Sequence, residues 1–179
     1  PRFAITCSDA QLTAAGELLQ RYPGLYLHTH LAEHPDEIAA TLALFPDARD
    51  YLDVYDRFGM VGPRSVFAHG IHLSDAELTR LAQTRATIAF CPSSNLFLGS
   101  GLLDLERLQQ FNVPMSVATD VGAGTSFSML ATLGDGYKVA QLNGQSLHPL
   151  VAMDAITRGN AQALGLDDCI GRLAPGFEA

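Results

Sequence analysis

A chain of 179 residues can bury a substantial core, and 47% hydrophobic against 17% charged residues excludes a disordered chain. The formal net charge of −8 argues against nucleic acid or an anionic membrane as partner, since both select basic patches. No apolar run has membrane-spanning length and no signal peptide is legible; the three widely spaced cysteines, Cys7, Cys91 and Cys169, read as reduced core thiols of a cytoplasmic protein.

In chain order, five strand-like runs alternate with helical segments. Residues 3–7 (Phe-Ala-Ile-Thr-Cys) are the first. A helix follows, opened by Ser8 with Gln11 three residues on as a capping box, and closed by Pro23-Gly24. The second run, 25–31, leads to a helix with Pro35 in its first turn and Glu37 near its positive end. Residues 46–63 read as a short helix around 51–55 and then a Gly/Pro-rich turn. The third run is 65–69, after which Ser74 and Glu77 form another capping box, on a helix carrying Leu78 and Leu81. The fourth run is 86–91, ended by Pro92. A polar, Gly-rich loop at 93–101 precedes a helix with Leu103, Leu105 and Leu108. The fifth run is 114–119, with Asp120 at its end, and helices follow at about 126–142 and 149–164.

Apolar β runs separated by amphipathic helices predict an α/β fold, a parallel sheet covered by helices. Five units are too few to close an eight-stranded (β/α) barrel, and both chain ends look cut. A piece of a longer protein is therefore expected.

The chemistry gathers around Leu27-His28-Thr29-His30-Leu31-Ala32-Glu33. Side chains alternate along a strand, so His28 and His30 share one face, and Glu33 follows within reach of whatever His30 holds. Imidazole suits zinc or iron, and a nearby carboxylate can carry protons for an activated water. A pair of hydrogen-bonded core histidines is the other reading. Ala68-His69-Gly70 and Ala118-Thr119-Asp120-Val121-Gly122 favour the first, since each ends an apolar run with a ligand or proton carrier. Glu33 and Asp120 standing alone would read as helix-capping acids. His34, His72 and His148 lie in polar connections or before a proline and read as surface or capping residues. Gly122 and Gly124 permit tight turns and need bind no phosphate.

With these residues in place the chain resembles the amidohydrolase superfamily, and within it the guanine deaminase family. The resemblance rests on Pro1-Arg2-Phe3, His28-Thr29-His30-Leu31-Ala32-Glu33 and Phe67-Ala68-His69-Gly70. It continues through Cys91-Pro92-Ser93-Ser94-Asn95-Leu96, Ala118-Thr119-Asp120-Val121-Gly122-Ala123-Gly124, Ser128-Met129-Leu130 and Gly159-Asn160-Ala161. It implies a partial TIM-like (β/α) barrel, about strands four to eight of the metal-dependent hydrolase fold. Residues 1–179 would be the C-terminal half of that barrel, the N-terminal half and a small β domain being absent, with residues 170–176 returning toward the latter. The family's first metal motif, His-x-His at the end of barrel strand one, is missing, and His28-Thr29-His30 is not that motif.

The implied reaction is hydrolytic deamination of guanine to xanthine and ammonia, with Zn2+ as the metal and Fe2+ as the other candidate. His30 and Asp120 are the implied metal ligands, while His28 would lie deeper in the barrel, either behind those ligands or as core. Glu33, His69 and Asp120 are the implied catalytic groups. Arg2, Phe3, His30, Glu33 and Asp120 would meet the purine: Arg2 as a planar fork on its carbonyl edge, Phe3 as a platform or simply barrel core. The full-length protein is expected to be a homodimer. Other substrates of such a site are another aminopurine, a triazine or an adenosine-like molecule. A reading of another class is a folded half-barrel with no chemistry of its own.

Overall fold

The computed structural model describes residues 1–178. Helix α1 (Asp9–Arg21) starts where Ser8 and Gln11 cap each other reciprocally. It is followed by β1 (Leu27–Leu31), α2 (Pro35–Leu44), α3 (Tyr51–Asp56), β2 (Ser65–His69) and α4 (Asp75–Thr84). Then come β3 (Thr87–Phe90), α5 (Pro92–Leu98), α6 (Leu105–Gln110), β4 (Met115–Val117), α7 (Met129–Leu142) and α8 (Pro149–Asp154). A π-helical turn (Ala155–Gly159) joins α8 to α9 (Asn160–Ala163), so the expected last helix is present with a wider turn inside it.

The sheet is parallel in the order β1-β2-β3-β4, each strand beside its successor in sequence. One face carries Leu27, Leu31, Phe67, Ile88, Phe90 and Val117. These pack with Leu12 of α1, Tyr55 of α3, Leu81 of α4, Leu108 of α6 and Val139 of α7. The opposite face is built from small residues, Ala68, Ala89 and Cys91 with Val66 and Ala118 beside them. Sequential strand order with helices on a single face is the winding of a (β/α) barrel wall, whereas a doubly wound sheet reverses its order and takes helices on both faces. The small-residue face is therefore the concave one.

Two expectations are corrected here. Residues 3–7 are not a strand, so the sheet has four strands and not five. Ala4–Thr6 closes into one 3-10 turn through Thr6 N to Phe3 O and Cys7 N to Ala4 O. Only Arg2 reaches the edge of β1, accepting from His30 N at 3.2 Å. The polar stretch at 93–101 is not simply a loop, because α5 occupies most of it. Pro92 at its first turn and Gly99 (φ +70°) at its end are the start and stop signals of a helix. The composition in Ser, Asn and Gly hid them. Of the cysteines, all free, Cys91 is buried, while Cys7 and Cys169 are only half-buried.

Asn160 shows how the last helical stretch holds the sheet. Its Oδ1 accepts from Val117 N at 2.8 Å and its Nδ2 donates to Val117 O at 3.0 Å, in place of a neighbouring strand. Removing it leaves a buried peptide unpaired on both sides, so Asn160→Ala should cost about 2 kcal/mol. Denaturant unfolding measures this; a shift no larger than that of an exposed substitution would show that the amide does not pin β4.

Candidate active site at the C-terminal ends of the strands

The chemically interesting side chains lie where the strands stop. His30 is on β1, Glu33 in the turn after it, His69 is the last residue of β2, and Asp120 follows β4. The backbone is strained at this end. Ala32 (φ +48°), His69 (φ +75°) and Asp120 (φ +48°) are left-handed non-glycine residues just beyond or at strand ends. Such positions cost of order 1 kcal/mol or more and persist where the surroundings fix them, commonly at functional sites.

Hydrogen bonds assign the ring nitrogens. His30 Nδ1 lies 2.7 Å from the carbonyl of Arg2. A carbonyl only accepts, so the ring proton is on Nδ1 and the Nε2 lone pair is free, the state a metal-binding imidazole requires. Tyr55 donates to the His30 carbonyl at 2.9 Å, and Thr29 Oγ1 donates to the same Arg2 carbonyl at 2.8 Å. The segment before the first helix thus orients His30 through its backbone.

His69 is buried, and its Nδ1 is 2.9 Å from Asn95 Nδ2. An amide nitrogen only donates, so Nδ1 accepts and the ring proton sits on Nε2. Nε2 has no hydrogen-bond partner; Glu33 Oε2 stands 3.5 Å away, beyond good bonding distance. Burial pushes the His69 pKa below its ordinary value, more than the neighbouring Glu33 carboxylate raises it. The ring is therefore neutral at pH 7. It stacks on His30, centroids 5.2 Å apart.

Glu33 Oε1 accepts from Ser100 Oγ at 2.7 Å, leaving Oε2 turned to His69. The Glu33 backbone is held by Glu37, whose Oε2 accepts from Glu33 N at 3.0 Å and whose Oε1 accepts from Tyr51 at 2.6 Å. Donor atoms of His69, Cys91 and Asp120 all lie within 4.8 Å of one another. The expected pair was His30 and Asp120; among the described residues His30 stands outside that converging group, against the His69 ring. The Cys91 thiol, pushed up to about 12 by burial and then by Asp120, stays protonated at neutral pH. The lone pair left on His30 Nε2 and the Asp120 carboxylate are donors of the kind a divalent ion of the zinc type takes, whereas His69, with its proton on Nε2, offers a hydrogen-bond donor there and not a ligand.

The remaining assigned residues fall as follows. Phe3 tilts against His30 at 5.1 Å, and the exposed Arg2 lays its guanidinium over the Phe3 ring at 5.3 Å. His28 shares the face of His30 and is exposed in this chain. His34 and His148 cap α2 and α8, and the exposed His72 bonds to the Ser100 carbonyl. Sequence reasoning missed Asn95, Ser100 and the Arg2 carbonyl. Asn95 stood in plain view within Cys91-Pro92-Ser93-Ser94-Asn95-Leu96.

The chain belongs to the amidohydrolase family: the model of the Amidohydrolase family matches residues 1–179. More narrowly, it is similar to the guanine deaminase of Escherichia coli (strain K12), 50% identical over 179 residues, which are 100% of this chain and 41% of that protein. A solved structure of E. coli guanine deaminase superposes with a TM-score of 0.98, covering 100% of this chain and 42% of the other. The C. acetobutylicum guanine deaminase with guanine bound in its active site gives 0.91 at 28% identity, over 99% and 43% of the two chains. An adenosine deaminase from Xanthomonas campestris with bound zinc gives 0.86 at 27% identity, over 96% and 39%. The chain thus spans about two-fifths of the length of the relatives it matches. No described helix is long and apolar enough to cross a membrane.

Proposed function

We propose that this chain carries the C-terminal barrel half of a guanine deaminase, with four of its strands, and supplies most of its catalytic groups. The observation that carries the reading is the meeting of Glu33 Oε2 with the unpartnered Nε2–H of neutral His69 beside the Asp120 turn. When bound by His30 Nε2 and Asp120 with ligands from the rest of the protein, a divalent ion, zinc before Fe2+, supplies the Lewis acidity that makes water nucleophilic near neutral pH.

The other steps belong to the side chains. Asp120 takes a proton from the attacking water as it adds to the carbon bearing the exocyclic amine. Glu33, entering as the acid, delivers its proton to a ring nitrogen, takes the remaining proton of the added hydroxyl and passes it to the amine as the carbon–nitrogen bond breaks, releasing ammonia and leaving xanthine; the proton held by Asp120 then returns Glu33 to its acid form. His69 donates from Nε2 to the oxygen that has added, stabilising charge that develops there. Phe3 offers a face to the purine, and Arg2 a fork to its carbonyl edge. A cytoplasmic setting fits the three free cysteines and belongs to the same proposal.

A substrate panel tests the assignment. The full-length protein should convert guanine faster than adenine, adenosine or a triazine, with xanthine and ammonia appearing together; preference for any of the others would replace guanine in this reading. A second expectation concerns the turn that aims Asp120. A Cβ added at Gly124 would lie 1.8 Å from Thr119 O and 2.9 Å from Asp120 O, and Gly124 N already donates to Asp120 O at 2.6 Å. Gly124→Ala must therefore displace Asp120, and metal affinity should fall about 10–100-fold, as when a ligand loses its support. Titration of the stripped protein with an indicator dye reads this; unchanged affinity would free Asp120 from the ligand role.

A further inference from the structure

The short helix α5 touches every catalytic segment, and none of the roles above uses it. At its start, Ser93 Oγ is 2.8 Å from Thr125 Oγ1 and accepts from Thr125 N at 3.1 Å, holding the turn that begins at Asp120. In its middle, Asn95, 1% exposed, donates to His69 Nδ1. Just past its end, Ser100, 5% exposed, donates to Glu33 Oε1. Asn95 and Ser100 are themselves tied, since Ser100 N donates to Asn95 O at 3.0 Å. The Ser100 carbonyl is pinned once more by His72 Nε2 at 2.8 Å.

This arrangement settles two choices that His69 and Glu33 would otherwise leave open. A neutral imidazole can carry its proton on either nitrogen, and only the partner of one nitrogen decides which. A carboxylate can turn either oxygen toward a neighbour. Asn95 removes the first freedom and Ser100 the second, so that the Nε2 proton and Glu33 Oε2 face each other at 3.5 Å, with room for a reacting group.

Building on the deaminase reading, we propose that Asn95 and Ser100 are positioning residues of the reaction: Asn95 keeps the His69 proton on Nε2, and Ser100 turns Glu33 Oε2 toward it. Neither touches the substrate. Each acts through the side chain it orients. Because Asn95 and Ser100 are joined by a backbone hydrogen bond at the end of one short helix, the relative aim of acid and imidazole is fixed before substrate arrives.

The test uses the full-length protein. Ser100→Ala should lower kcat by roughly 10–100-fold, the size of a lost hydrogen bond to a charged group, with KM little changed. Ser100→Thr, which keeps the hydroxyl, should recover most of the loss. A Ser100→Ala variant with wild-type kcat, or one whose whole effect lies in KM, overturns the Glu33 half. For the other half, ring-nitrogen NMR of His69 in the wild-type protein should show the proton on Nε2. Asn95→Asp, able only to accept there, should move it to Nδ1 and lower kcat by a similar factor. A wild-type His69 carrying its proton on Nδ1 overturns the assignment whether or not any variant folds. Should the wild-type protein leave guanine untouched, the deaminase reading fails, while the tautomer measurement still decides what Asn95 does.

Discussion

Glu33→Gln in the full-length protein should lower guanine turnover by about 10²-fold or more while leaving metal content unchanged. The substitution keeps the shape of the side chain, and the amide oxygen can still accept from Ser100 Oγ, now 2.7 Å from Oε1. What is lost is the ability to pick up a proton and give it away. The amide nitrogen would then stand where Oε2 now faces His69 at 3.5 Å, and it cannot carry a proton between ring nitrogen and leaving amine. Metal content should hold because the substitution leaves His30 and Asp120, the ligands of the proposal, and the Arg2 carbonyl that orients His30 unchanged. Near-normal turnover in this variant would sink the proton-carrier role and leave Glu33 as a residue that merely orders its turn.

Arg2→Ala should lower kcat/KM for guanine by roughly 10–1000-fold, the span expected when a charged hydrogen-bonding pair is lost from a recognition site. The guanidinium is exposed and lies over Phe3, which in turn tilts against His30. It therefore stands beside the site, and among the described residues its side chain makes no hydrogen bond or ion pair. The substitution spares the backbone carbonyl that holds His30 Nδ1, so the imidazole keeps its orientation. The loss should accordingly be larger for guanine than for purines without that carbonyl. A variant that still prefers guanine as strongly as before would make Arg2 a packing residue whose only contribution is its carbonyl.

Much of the fold was legible because hydrophobic patterning and capping are local. Residues 65–69 were read as a strand from their apolar run, and β2 has those bounds. The capping boxes at Ser8 and Ser74 were equally plain, since each is written within four residues. Residues 3–7 misled for the opposite reason. Phe, Ile and Thr favour strands, yet a strand needs a neighbour along its length, and only Arg2, just before this segment, bonds to the backbone of β1. Composition misled again at α5, where Ser, Asn and Gly outweighed a helix start and stop seven residues apart.

The site divides along the same line. His30, Glu33, His69 and Asp120 could be named because each ends a strand-like run, and the fold brings strand ends together. Their aim could not be read. It depends on contacts 26 to 67 residues apart in sequence, from Asn95 to His69, from the Arg2 carbonyl to His30 and from Ser100 to Glu33. Cys91 joined Asp120 and His69 by the same route, from a strand end read only as core.

The most direct measurement follows guanine loss and xanthine appearance by absorbance in the full-length protein, before and after a chelator removes its metal. Conversion should stop on stripping and return when Zn2+ is restored, because the roles proposed for Asp120 and Glu33 depend on a water made acidic by a bound metal. Stripped protein, shown to be metal-free, that still converts guanine at the original rate would contradict the account.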